Sequence, residues 1–179
     1  MTNEMSARES LEFLRFNHFK LFEQIDPEMM PEATLRRQIN QGAKVRPFRI
    51  ATWSARQGFF ISAWSLWEHT ANKICDRLQL KERKQSNESA VGWIGRSLVA
   101  NSRTFRDRTW FESANGLRNL LAHHGSRVIG DRSESLFTRC QAAFPGIETW
   151  KDGYVNILHD HLAELTVKIE DFLEEQMIG

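Results

Sequence analysis

Residues 54–78 read SARQGFFISAWSLWEHTANKICDRL, and the spacing of their apolar side chains decides the fold class. Phe60, Trp64, Trp67, Ala71, Ile74 and Leu78 recur at steps of three and four, which places them on one face of an α-helix. Ser54 precedes them with Gln57 three residues on, a helix-start spacing. The pattern fades in Leu80-Lys81-Glu82-Arg83-Lys84. No other apolar face in the chain is as long, and a Trp-rich stripe of this kind is core material.

Working outward, the segment before it repeats the helical period. Ser6 and Glu9 have capping-box spacing, and Leu11, Leu14, His18, Leu21 and Ile25 follow on one face. Asp26-Pro27 and Pro31 stop that helix, and a polar stretch with Gly42 and Pro47 follows. On the other side, Ser86 to Ser89 read as a turn and Ala90 to about Asn101 as a short helix. Thr109 and Glu112 repeat the capping-box spacing ahead of Trp110, Ala114, Leu117 and Leu121. Gly125 stands where that helix should end. A short helix from about Arg132 to Ala143 precedes the Pro145-Gly146 turn. The last helix is expected from about Gly153 to Gln176, carrying Leu158, Leu162, Leu165, Ile169 and Phe172. Convincing period-two strands are missing. The expected architecture is all-α, an antiparallel four-helix bundle with short auxiliary helices, in one domain over residues 1–179.

The composition excludes several classes. An apolar content of 41% with twelve Phe and six Trp is far from that of a disordered chain. No run approaches the roughly 18 apolar residues of a membrane span. Glu4, Arg8 and Glu9 near the N-terminus are unlike a secretory signal. Cys75 and Cys140 alone make neither a disulfide framework nor a zinc pattern, so two free thiols in the cytoplasm are expected. The net charge of +1 conceals an asymmetry: residues 31–108 carry 15 Lys/Arg against 6 Asp/Glu, and residues 148–179 carry 8 acidic and 2 basic residues. A basic middle can attract phosphates, although a solvated mixed-charge surface has the same composition.

The chemically suggestive stretch is Arg118-Asn119-Leu120-Leu121-Ala122-His123, at the end of the Trp110 helix. Histidine titrates in the range where proton transfer near neutral pH is efficient. The guanidinium fork of arginine matches phosphate oxygens. Together they suit RNA cleavage by attack of a 2′-hydroxyl on its own phosphate, a route that needs no metal. With 17 Arg and 6 His, chance gives about 0.6 occurrences of Arg-x4-His, and requiring Asn after the Arg lowers this to roughly 0.03. Five residues turn the pair about 140° apart on an ideal helix. They should therefore converge only where the helix ends, bends or meets a partner.

On an all-α chain of this size, that stretch resembles the HEPN superfamily (higher eukaryotes and prokaryotes nucleotide-binding). Its helical bundles share an Arg, a polar residue, a few spacers and a His. Trp64-Ser65-Leu66-Trp67-Glu68 is similar to the aromatic-acidic segment in the second helix of several members. Coverage is best from about Thr52 to Ser126. The resemblance implies Arg118 and His123 as the catalytic pair, Asn119 as a positioning residue, and a homodimer with two motifs facing one cleft. It also implies an RNA substrate, 2′,3′-cyclic phosphate ends, and a defence or toxin–antitoxin setting with an antitoxin partner. The chain departs from the subgroup paired with nucleotidyltransferase antitoxins, because Gly125 stands where that subgroup has Tyr.

Other residues are weaker candidates. His124 could serve in place of His123, since families with five spacers exist. Glu68 could orient Arg118 by a salt bridge, or simply border the core. Arg77, Lys81, Arg83 and Lys84 could line an RNA path, although a solvated helix end accounts for them better. Arg103, Arg106 and Arg108 lie at the other end of the motif helix. His159 and His161 flank Asp160 but point apart on a helix, so no metal site is expected, and no cofactor. Two further readings stay open: a non-catalytic HEPN-like module that binds a protein partner or nucleotide, and an unrelated four-helix adaptor.

Overall fold

The computed structural model describes residues 6–25, 45–78, 85, 88–150 and 152–177, and six α-helices account for most of them. Helix α1 (Ala7–Ile25) begins as its sequence dictates. The Ser6 N–H donates to Glu9 Oε2 at 2.7 Å, and the Glu9 N–H donates back to Ser6 Oγ at 3.2 Å. That reciprocal pair occupies two backbone donors that a helix start leaves open. Leu11, His18 and Phe22 form the buried face, whereas Leu21 is exposed. Steps of three and four from His18 are equally helical, and packing chose Phe22, whose ring lies 4.0 Å from that of His18.

Helix α2 (Val45–Arg77) starts well ahead of the expected Ser54 and runs for 33 residues. Pro47 falls in its first turn, where a missing N–H breaks no helical hydrogen bond. The proline expected in the connecting stretch thus belongs to the helix. Phe60, Ala63, Trp64, Trp67, Ala71 and Cys75 are buried, so the tryptophan stripe is core, with Ile74 and Leu78 half-buried against it. Burial raises the Cys75 thiol to a pKa of about 11, helped by Asp76, and burial raises that of Cys140 to about 12. Both thiols are free.

Four more helices follow: α3 (Ala90–Ala100), α4 (Arg108–His123), α5 (Asp131–Gln141) and α6 (His159–Met177). Ser89 caps α3 by accepting the Gly92 N–H at 3.0 Å. The Thr109–Glu112 capping box does not form, because Asp107 is the N-cap and Thr109 already lies in the helix. Glu112 instead accepts from Arg108 Nε at 2.8 Å, and Asp107 accepts from Lys168 Nζ of α6 at 3.0 Å. The buried face of α4 is Phe111, Ala114, Leu117 and Leu120, with Trp110 and Leu121 at its half-buried edges.

Helix α6, in contrast to α2, starts later than expected, at His159 and not near Gly153. Residues before it form a two-stranded antiparallel ribbon, β1 (Glu148–Thr149) and β2 (Val155–Asn156). Strands of two residues are too short to show a period of two.

The contacts fix the directions of the helices. Trp67 of α2 stacks on Phe111 of α4 (4.4 Å, 17°), and Gln57 of α2 meets Ser126, just past the end of α4. These two helices therefore run in opposite senses. Arg56 Nη1 donates to the Ile157 carbonyl at 3.1 Å, and Trp67 meets Phe172 edge-on at 5.8 Å, so α6 runs alongside α2. Among the described residues, no helix is long and apolar enough to cross a membrane.

Two glycines should respond oppositely to alanine. A Cβ at Gly116 would sit 2.7 Å from the Leu136 carbonyl oxygen, because α5 packs directly on that face of α4. Gly116→Ala is expected to destabilise by about 1–3 kcal/mol through overpacking. A Cβ at Gly58, on the exposed side of α2, would meet nothing within 4 Å. Gly58→Ala is expected to stabilise by about 0.5–1 kcal/mol by removing a helix-interior glycine. Urea unfolding of both variants checks the pair.

His18 makes the fold acid-sensitive. Its ring lies between Phe22 and Phe59, and burial, with His159 and Arg56 nearby, lowers its pKa from 6.5 to about 3. Between those values the unfolded chain binds more protons than the folded one, so stability falls as the pH drops below about 6.5. His161, whose pKa is lowered by burial, adds to the same slope. Thermal melts across that window should show the decline, and His18→Phe should flatten it.

Candidate functional site

The site is built where α4 ends. His123 is the last helical residue, and His124 is the C-cap. Gly125 (φ 56°) and Ser126 (φ 65°) then both adopt the left-handed region, so the helix cannot continue. The Leu120 carbonyl accepts both the His124 and the Ser126 N–H, each at 3.1 Å. A left-handed serine costs about 1 kcal/mol or more unless its surroundings hold it. Here Ser126 Oγ donates to Gln57 Oε1 at 2.6 Å, and the Ser126 carbonyl accepts the Val155 N–H at 2.9 Å. The end of α4 is thereby tied to α2 and to the β-ribbon.

On this terminated turn three expected residues meet. Arg118 Nη1 lies 3.2 Å from Asn119 Oδ1 and 3.1 Å from His123 Nε2. The pair that an ideal helix holds about 140° apart is bridged within one chain, because the long arginine side chain reaches along the helix to its end. Neither a kink nor a second protomer is needed for that contact. A guanidinium has donors only, so the His123 Nε2 lone pair must accept and the ring proton must sit on Nδ1. The Nε and Nη2 N–H groups of Arg118 make no hydrogen bond among the described residues. They form the side-on edge of the fork, the edge that binds an oxyanion bidentately. His123 is exposed, while Arg118 and Asn119 are half-buried.

The remaining candidates are not brought to this point. His124 is half-buried and makes no hydrogen bond to Arg118. Glu68 makes no ion pair with Arg118 among the described residues. The Trp67–Phe111 stack places Glu68 level with Phe111, and Arg118 lies seven residues, or about 10 Å, further along α4. Arg77 ends α2 at that same remote end, twenty residues or about 30 Å beyond Gln57. Lys81, Arg83 and Lys84 lie outside the described residues. Arg103 donates to the Gln176 carbonyl, Arg106 pairs with Glu175 and Arg108 with Glu112, all at the far end of α4. His161 is a core residue whose Nδ1 accepts the Leu158 N–H at 3.2 Å.

The sequence reading missed the neighbours of the site. Arg127, which follows the end of α4, bridges to Tyr154 at the turn of the ribbon, and Trp53 of α2 packs against both Tyr154 and Trp150. The signal for them is the Asp152-Gly153 dipeptide, a hairpin-turn pair, and the helix expected from about Gly153 begins only at His159. Gly153 has φ 78°, and its N–H donates to the Trp150 carbonyl at 2.8 Å.

No protein-family model matches the chain, no curated protein aligns with it, and no solved structure superposes on it at a significant level.

The Arg118 contact predicts the His123 tautomer. At a pH where the ring is neutral, its nitrogen NMR shifts should report the proton on Nδ1. Arg118→Met should remove that preference, and an unchanged pattern would show that the contact does not persist in solution.

Proposed function

We propose that this chain is a metal-independent endoribonuclease of the HEPN type, cutting RNA by attack of a 2′-hydroxyl on the adjacent phosphate. The observation that carries the reading is the single guanidinium of Arg118, held against both Asn119 and His123 at a solvent-facing helix end. The exposure of His123 favours catalysis over a non-catalytic module, in which the motif histidine would pack into its own core.

In this reading α1, α2, α4 and α6 are the four helices of an antiparallel HEPN-like bundle. A homodimer brings two motifs to one cleft, and the chain works in the cytoplasm as a defence or toxin–antitoxin effector held by a protein partner. The scissile phosphate takes the free Nε/Nη2 edge of Arg118. Drawing the guanidinium toward the phosphate releases His123 Nε2, which accepts the 2′-hydroxyl proton. The O2′–phosphorus bond forms and the phosphorus–O5′ bond breaks, leaving a 2′,3′-cyclic phosphate. The leaving 5′-oxygen takes a proton from the imidazolium of the second protomer's motif. Arg118 stabilises the charge that builds on the phosphorane, and Asn119 keeps the guanidinium in place.

Purified protein and end-labelled single-stranded RNA test this directly. Cleavage should persist in a metal chelator and leave cyclic phosphate ends. Arg118→Ala and His123→Ala should each slow it by about 10²–10⁴-fold. Arg118→Lys should not restore it, because a point charge cannot reproduce the fork. Equal cleavage by wild type and both alanine variants would overturn the proposal.

A further inference from the structure

The ribbon beside the motif carries a cluster of aromatic and cationic side chains that the proposed chemistry does not use. Trp150 is exposed at 40% and packs against Trp53 (5.8 Å, 32°). Tyr154 meets Trp53 edge-on at 5.4 Å, and the Arg127 guanidinium lies over the Tyr154 ring at 5.0 Å. Trp53 is itself fixed, because its indole N–H donates to the Val155 carbonyl at 3.0 Å. Arg127 is anchored through Nε to the Asp152 carbonyl at 3.2 Å and makes no ion pair among the described residues. Its two Nη groups remain available to an anion.

This cluster is rigidly joined to the site. The Arg127 N–H donates to the His124 carbonyl at 3.1 Å, the Val128 N–H to Gly153 at 2.8 Å, and the Val155 N–H to Ser126 at 2.9 Å. Arg127 is four positions after His123, so their Cα atoms are within about 14 Å. An exposed indole packed on the fixed Trp53 ring offers a flat apolar face, and a cation without an ion pair lies over the Tyr154 ring that packs on the same Trp53. An unpaired nucleobase with its phosphate has the complementary form: a π-face for the indole and a negative charge for the guanidinium.

We infer that Trp150 and Arg127 form a subsite for a single-stranded RNA nucleotide flanking the scissile phosphate, the base stacking on Trp150 and its phosphate meeting Arg127. The inference rests on the ribonuclease reading and deepens it by naming the substrate form, unpaired RNA. Duplex RNA, whose bases are already stacked, cannot use the indole.

The test is binding, separated from cleavage by the use of a short single-stranded RNA carrying 2′-O-methyl groups throughout. Wild-type protein should bind it with quenching of tryptophan fluorescence and should bind a duplex of the same sequence more weakly. Trp150→Ala should raise the Kd about 10–100-fold. Trp150→Phe, which keeps a ring against Trp53, should recover most of the affinity and so separates stacking from misfolding. Arg127→Ala should weaken binding and flatten its salt dependence. Equal affinity of wild type and Trp150→Ala, equal affinity for duplex and single strand, or no RNA binding at all would overturn the inference. Because the probe cannot be cut, that result is independent of whether Arg118 and His123 variants lose cleavage.

Discussion

The stack of Trp67 on Phe111 sets the register on which the rest of the molecule depends. A buried indole is too large to be covered by small side chains, and this one is enclosed by Phe111, Phe105 and Phe172 from three directions. Once those rings meet, α4 is fixed along α2 as well as against it. From Trp67 back to Gln57 is ten residues, about 15 Å, and from Phe111 on to His123 is twelve, about 18 Å. The near match of these lengths lets Ser126 reach Gln57. A hydrophobic contact at one end of the helix pair thus determines a hydrogen bond at the other, and with it where the motif helix stops.

Packing against α5 supplies a second constraint. Gly116 brings the Leu136 backbone so close that even a methyl group has no space. Ala143, Phe144 and Ile147, which follow α5, are buried, and Phe144 closes over Phe60 and Trp110. The chain then turns at Gly146 (φ 79°) into the ribbon. The close approach of α4 and α5 is therefore what delivers Trp150 and Tyr154 to the end of α4 that carries Arg118 and His123.

The motif end combines rigidity with unspent bonding capacity. Its turn is over-determined: Leu120 and Val155 bond to the Ser126 backbone and Gln57 to its hydroxyl. Its side chains are not. Arg118 uses one nitrogen on Asn119 and His123 and keeps an edge of its fork open. Groups held in position but not saturated can meet a charged ligand without first being reorganised. The buried histidines differ in kind. His18 lies between two rings and His161 beside Phe144, burial lowers the pKa of both, and they contribute to stability and its pH dependence.

The local signals proved legible in proportion to how local their physics is. The Ser6–Glu9 box, the Ser89 region start and the Trp stripe depend on neighbours within one helical turn, and the sequence alone specifies them. It also specifies the Arg118-Asn119-x3-His123 spacing, since the three residues share one helix end. Other features required the tertiary structure. Whether Leu21 or Phe22 faces inward depends on which ring of α2 is opposite, and the helical period permits both. Thr109 yields the N-cap position to Asp107, whose carboxylate bonds not to the helix start but to Lys168 of α6. Glu68 is separated from Arg118 because the Trp67–Phe111 stack sets the register of α4 along α2, a fact no spacing within α2 contains. The β-ribbon and its aromatic cluster likewise come from strands too short to announce a period and from rings more than ninety positions apart, Trp53 and Trp150. Interactions within a turn are written in adjacent residues, whereas those across the core exist only once the chain has closed on itself.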